Sequence, residues 1–254
     1  MILLQQTYSS PDQARQAELD LAKSRNELCS AFTNRVYLPG TSKRYTFSEI
    51  FSLAADRFQG DVCVIANSDI AFDESILGVL SILQPGMLIA LTRWDDSTAP
   101  SMEGRVDPNT WKFFSHSQDA WIFLAGSLPS FDTNFSLGIP RCENRLAYEA
   151  TAAGVIVVNP ALSIRIWHHH STMLRTWQVN DYYRGPLFFP RLTTAAFEQP
   201  EGFVLSKRPH LELVVQLDGT QAGFHQQLAA EQSQPSRRTH SRFSRSFFKL
   251  LRGN

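Results

Sequence analysis

Apolar and polar positions alternate in blocks along the chain, and the spacing within each block predicts its structure. Ile2–Tyr8 is a short apolar stretch and predicts a first strand. Pro11 follows Ser9 and Ser10 at a helix-start position. From there Ala14, Ala17, Leu21, Leu28 and Phe32 recur at spacings of three, four and seven, which predicts an amphipathic helix reaching Phe32. Arg35–Leu38 predicts a short strand closed by Pro39-Gly40. Thr46 then reads as a helix cap with Glu49 completing a capping box, and Phe47, Ile50, Phe51, Ala54, Ala55 and Phe58 supply the buried face. Gly60-Asp61 breaks that helix. Val62–Ala66 follows, apolar on both faces as a central strand of a parallel sheet should be.

The rhythm continues with a helix from Glu74 to about Leu83 and a strand over Met87–Thr92. Residues 94–117 are polar and irregular and predict a long loop, and Ala120–Ala125 predicts another strand. A helix from Cys142 to Ala153 turns Leu146, Ala147 and Ala150 inward and stops at Gly154, which suits a helix end. Val155–Val158 predicts a further buried strand, the alternating Leu162, Ile164 and Ile166 one more, and Leu211–Leu217 a last one. Strand, helix, strand in this order predicts an α/β class: one domain over residues 1–220, with a central, mostly parallel sheet flanked by helices. Residues 221–236 read as a linker.

Composition narrows the picture without changing it. The chain has 254 residues, 43% of them hydrophobic and 19% charged, which suits a globular protein with a sizeable core. Cys29, Cys63 and Cys142 are odd in number and far apart, so no disulfide framework is expected and the chain reads as cytoplasmic. No apolar run is long enough to span a bilayer, and Met1–Gln6 lacks the basic start of a signal peptide. The neutral total conceals an acidic body and a basic tail: Glu231–Asn254 holds six Lys or Arg against one acid. Nucleic-acid binders usually carry positive charge on the folded part, so that partner is not expected. Within residues 237–254, helical spacing gathers Phe243, Phe247, Leu250 and Leu251 opposite Arg242, Arg245, Lys249 and Arg252, a pattern suited to peripheral contact with an anionic membrane surface.

Candidate chemistry falls where strands end, the place at which open α/β sheets bind ligands. Asn67-Ser68-Asp69 leaves a buried strand, and a carboxylate there can hold a hard divalent cation together with substrate phosphates. The same residues can also simply shape the turn, and Asp73 suits a helix cap better than a ligand. Glu143, in a helix's first turn, can serve as a general base or merely complement the helix dipole. His168 and His170 project to one side of Trp167–Ser171 and His169 to the other, which offers metal or phosphate contacts. No partner residues for a dedicated zinc site accompany them. Asp119, near Trp94 and Trp121, offers a carboxylate for sugar hydroxyls and flat rings for stacking, although core indoles would read the same way. Glycine-rich phosphate loops, the nucleophile elbow and the dinucleotide fingerprint are all missing.

Taken in order, these pieces resemble the nucleotide-sugar glycosyltransferases of the GT-A fold, and within them a little-described bacterial group. Val64–Asp73 stands in place of that family's metal-binding Asp-x-Asp stretch, with Asn67 at the first acid. Glu143-Asn144-Arg145-Leu146, followed by Ala153-Gly154-Val155, resembles the acidic pair and helix of inverting members, with Asn144 at the second acid. The resemblance covers about residues 1–177. It implies Mn²⁺ or Mg²⁺ held by Asp69 with His168 or His170. It also implies a nucleoside-diphosphate sugar contacted by Gln6, Thr7, Tyr8, Asn67, Ser68, Asp69 and Arg145. Glu143 would be the base and Asp119 would position a hydroxyl of the donor sugar or of the glycan or lipid-linked acceptor, in polysaccharide synthesis at the inner face of the membrane. Two rival classes remain open: a nucleotidyltransferase or other metal-dependent phosphate-ester enzyme, and a non-catalytic binding or scaffold protein.

Overall fold

A computed structural model describes residues 1–40, 43–95, 101–102, 105–106, 114–115, 117–169, 172, 174, 177, 181–195, 202–205 and 212–215. The expected linker, the basic tail and His170 lie outside them. The chain begins β1 (Ile2–Thr7), α1 (Gln13–Leu28), β2 (Asn34–Pro39), α2 (Phe47–Arg57), β3 (Val62–Ala66) and β4 (Ile70–Phe72). A 3₁₀ helix at Glu74–Ser81 leads to β5 (Met87–Leu91). Four two-residue strands follow: β6 (Trp94–Asp95), β7 (Ser101–Met102), β8 (Arg105–Val106) and β9 (Phe114–Ser115). Then come β10 (Ala120–Leu124), α3 (Cys142–Ala152), β11 (Ile156–Val158), β12 (Ile166–His168), β13 (Leu187–Pro190), β14 (Gly202–Leu205) and β15 (Glu212–Val215).

This is a mixed α/β arrangement. A six-stranded sheet runs in the order β2-β1-β3-β10-β5-β11. Its pairs are parallel except where β10 lies antiparallel between β3 and β5. The strands are not gathered into one sheet, however. β4, β12, β6 and β7 form a second, and β13–β15 and β8–β9 pair separately. The expected loop over 94–117 therefore contains short strand pairs, and Ile70–Phe72, inside the stretch leaving β3, is a strand that apolar spacing did not predict.

Strand alternation builds a core on each face of the large sheet. Leu4, Cys63 and Ile65 enter one with Phe47, Ile50, Leu146 and Ala150, under α2 and α3. Leu3, Val64 and Ala66 enter the other with Phe32, Ile70, Ile76 and Ile166. Trp121 is 1% exposed and sets its ring edge-on to Phe47 at 4.7 Å, so it is a core residue and not a stacking platform. Thr46 and Glu49 form the expected capping box, and Asp73 caps its helix by accepting from the Ser75 N–H at 2.8 Å. All three cysteines are free and buried. Among the described residues, no helix is long and apolar enough to cross a membrane.

The first helix departs from expectation in an informative way. Ala14, Ala17, Leu21 and Leu28 all face solvent, with Leu28 83% exposed. The buried face is Arg15, Glu18, Leu19, Ala22 and Asn26 instead. Asn26 explains the rotation. Its amide donates to Gln5 Oε1 at 3.1 Å and to the Ile70 carbonyl at 2.9 Å, and its Oδ1 accepts from the Phe72 N–H at 2.9 Å. These strand-end backbone groups need partners once buried, and an apolar face could not supply them.

Candidate functional site at the carboxyl edge of the sheet

The reversed direction of β10 brings its first residues to the edge where β3 and β5 end. Ala120 is paired with Ala66 on one side and Leu91 on the other. The Asp119 carbonyl therefore accepts from the Asn67 N–H at 3.0 Å, while the Asp119 N–H donates to the Leu91 carbonyl at 2.9 Å. Asn67, Asp69, Arg93 and Asp119 are thereby assembled from three separate strands.

Asp69 is held by cations. Arg15 donates to its Oδ2 at 2.7 Å, and His168 Nε2 stands 3.3 Å from the same oxygen. Burial disfavours ionisation, but hydrogen bonds and charge from His168 and Arg15 outweigh it and hold the carboxyl well below the usual carboxylate range. His168 shows the reciprocal effect: burial would lower its proton affinity, yet Asp69 raises it above the ordinary imidazole value. The other ring nitrogen of His168 lies 3.3 Å from Asp95 Oδ1. Arg15 also donates to Glu18 at 2.9 Å and to the Tyr8 hydroxyl at 3.1 Å. Glu18 in turn accepts from the Thr172 N–H at 2.8 Å.

Asp119 is buried and accepts from Asn67 Nδ2 at 2.8 Å, Arg93 at 3.0 Å and the Ser117 hydroxyl at 2.5 Å. Glu143 lies within the electrostatic reach of both Asp119 and Arg93. Its surroundings are of the opposite kind to those of Asp69. Desolvation raises its proton affinity most, its own N–H opposes this, and the Asp119 charge adds to the rise, so its pKa is pushed up to about 7. Just before it, Arg141 holds φ at 72°, a left-handed conformation unusual for a side chain with a Cβ, and gives α3 no side-chain cap. Strain of this kind concentrates at sites where surrounding structure fixes the backbone.

A polar cleft of about 300 Å³ opens beside this edge, lined among others by Thr7, Tyr8, Ser68, Asp20, Lys23 and Gly40. Gly40 is required there, since a Cβ would come within 2.5 Å of the Thr7 carbonyl. Of the remaining expected residues, Gln6 accepts from the Tyr45 N–H at 3.0 Å. Arg145 points away, donating to the Pro186 carbonyl at 3.1 Å and pairing with Glu149. Trp94 is half-buried, with the Arg165 guanidinium over its ring at 4.9 Å. His169 faces Arg25 at 2.8 Å, on α1. The structure thus brings together Asn67, Asp69, Asp119, Glu143 and His168, and places Thr7, Tyr8 and Ser68 at the adjoining cleft.

Sequence reasoning missed Arg15, Arg93, Asp20 and Lys23. A signal for Arg15 exists in hindsight: Arg15, Glu18, Ala22 and Asn26 recur at helical spacing as a stripe turned away from Leu21 and Leu28. Among the described residues, no group of three or more His, Cys, Asp or Glu is arranged to hold a metal ion. Asp69 and His168 are two such groups side by side, and magnesium-type ions commonly take one or two protein ligands and complete their shell with phosphate and water. These two residues are of the kinds that such an ion takes. No protein-family model matches the chain, and no curated protein matches it in sequence.

Proposed function

We propose that the chain is a glycosyltransferase that moves a sugar from a nucleoside-diphosphate donor to a hydroxyl acceptor with inversion, on a GT-A-like sheet. One observation carries the reading: two carboxyl groups with opposite proton affinities share the carboxyl edge of the sheet, Asp69 held well below the usual carboxylate range by Arg15 and His168, and Glu143 pushed up to about 7 by burial and the Asp119 charge. A pair pushed apart in this way divides the work between charge binding and proton transfer. The polar cleft at the ends of β1 and β2 is the natural seat for the nucleoside, with Asp20 and Lys23 available to its polar groups and Tyr8 to its ring. The diphosphate would then lie toward Arg15 and Arg93. These cations stabilise the charge that grows on the leaving group. A divalent cation, when bound, would be held by Asp69 and His168 and would supply further neutralisation. Asp119, fixed by three donors, orients a hydroxyl. Glu143 accepts the acceptor hydroxyl's proton as oxygen attacks the anomeric carbon from the face opposite the diphosphate. A pKa near neutrality matches that task.

The test is a thermal-shift panel of UDP-, GDP-, CMP- and dTDP-sugars, each with Mn²⁺, Mg²⁺ or EDTA. A rise with one nucleotide that disappears in Asp69→Ala is the expected result. A flat panel with well-folded protein contradicts the proposal. Stabilisation by a nucleoside triphosphate alone, with pyrophosphate release, would replace it with nucleotidyl transfer.

A further inference from the structure

The two asparagines that interrupt the acidic pattern, Asn67 and Asn144, converge on one dipeptide. Asn67 Nδ2 donates to Asp119 Oδ1 at 2.8 Å from the end of β3. Asn144 Nδ2 donates to Gln118 Oε1 at 3.0 Å and to the Phe188 carbonyl at 3.3 Å from the first turn of α3. Gln118 and Asn144 are both almost completely buried, at 1% and 2% exposure. The direction of these bonds is fixed by partners that can only accept, a carboxylate in one case and a peptide carbonyl in the other. An aspartate at position 67 would set a second carboxylate against Asp119. One at position 144 would face two acceptor oxygens in a buried site. Amides supply the donors that carboxylates lack.

We propose that Asn67 and Asn144 are positioning residues: two amide clamps that grip Gln118-Asp119 from opposite sides and so hold Asp119, and with it the charge beside Glu143, at a fixed place. The dipeptide links the turn after β3, which carries Asp69, to the start of α3, which carries Glu143. The asparagines are therefore required by the acceptors around them and are not marks of a decayed site. Their catalytic consequence rests on the transfer reading above, but the clamp itself does not. The titratable and charged groups around this point are Cys142, Glu143, Asp119 and Arg93.

The experiment uses the full chain without substrate. In Asn144→Asp, the buried acid must stay protonated to donate. Its melting temperature should lie close to wild type near about pH 5 and fall about 6 °C below it near about pH 8. Asn144→Ala should show a deficit that does not change over that range. Asn67 is only half-buried, so Asn67→Ala is a variant expected to fold even where Asn144→Asp does not. With the clamp loosened, Asp119 moves off Glu143, and the Glu143 midpoint, read by carboxyl ¹³C NMR, should drop by about half a unit or more. A purely structural role for Asn67 would leave that midpoint in place. An unmoved midpoint in Asn67→Ala, or an Asn144→Asp melt that tracks wild type at every pH, overturns the proposal. Neither readout involves a nucleotide sugar, so a failure here is distinct from a flat ligand panel.

Discussion

Asp69 and Glu143 stand at the same edge of one sheet and meet opposite surroundings. Asp69 leaves a strand into a nest of cations, where Arg15 and His168 share one of its oxygens. Glu143 opens a helix with no side-chain cap, beside the Asp119 carboxylate and a thiol. Both groups lose water, yet one is driven below the ordinary range and the other up to about 7. Desolvation pushes both the same way, so the difference is made by the neighbours. The comparison teaches that burial sets how strongly a site responds to charge, and that placement of cations decides the sign.

The largest expected effect comes from removing the cation that separates the two corners. Arg15→Ala leaves Asp69 and Glu18 without it, and loss of one partner from a buried pair costs about 3–5 kcal/mol. Denaturant unfolding should show that loss at neutral pH, with partial recovery as the solution approaches about pH 4.5 and the carboxyls take up protons.

Glu143→Gln tests the other corner with the reverse sign. The proton affinity of Glu143 is higher in the folded state than the ordinary 4.5, so wild-type stability falls as pH rises from about 4.5 to about 7. Glutamine removes that penalty. The variant should match wild type in acid and exceed it by roughly 2–3 kcal/mol near pH 8, while losing the proposed sugar transfer. A smaller effect follows from Asp69→Asn. His168 owes its raised affinity to Asp69, so its contribution is complete below its ordinary value and lost as pH rises through the raised one. The fall in stability on the alkaline side of pH 6.5 that comes from His168 should therefore be lost in the variant, as read from melting temperature against pH. Thr46→Ala is the control. It removes a capping box and should cost about 1 kcal/mol, the same at every pH from about 5 to 9.

The two corners were not equally legible in the amino-acid sequence. Local rules reached α2, whose capping box is written in Thr46 and Glu49, and β3, whose unbroken apolar run fits a strand buried on both faces. They also reached Asp69, Glu143 and His168, because polar residues that follow or open regular elements stand out against apolar neighbours. They failed on α1. Its alanines and leucines form the more obvious stripe, but the strand ends beneath it present backbone groups that require Asn26, and Asp69 requires Arg15. Those demands arise from residues more than forty positions away and leave no local trace. Arg93 was hidden for a related reason: its role depends on β10 running antiparallel, which sets Asp119 beside the end of β5. Asn67 and Asn144 were visible as departures from an acidic pattern, and only the acceptors facing them give a reason for the change.

The division of labour between these corners reduces to one quantity, the midpoint of Glu143. Selective ¹³C labelling of glutamate carboxyls, with Glu143→Gln to assign the signal, would follow that group from about pH 3 to 9 in the ligand-free protein. A midpoint at about 7 is expected, well separated from the other glutamates. A midpoint near the ordinary 4.5 would make Glu143 no more basic than an exposed glutamate, would remove the contrast with Asp69 in proton affinity, and would contradict the account.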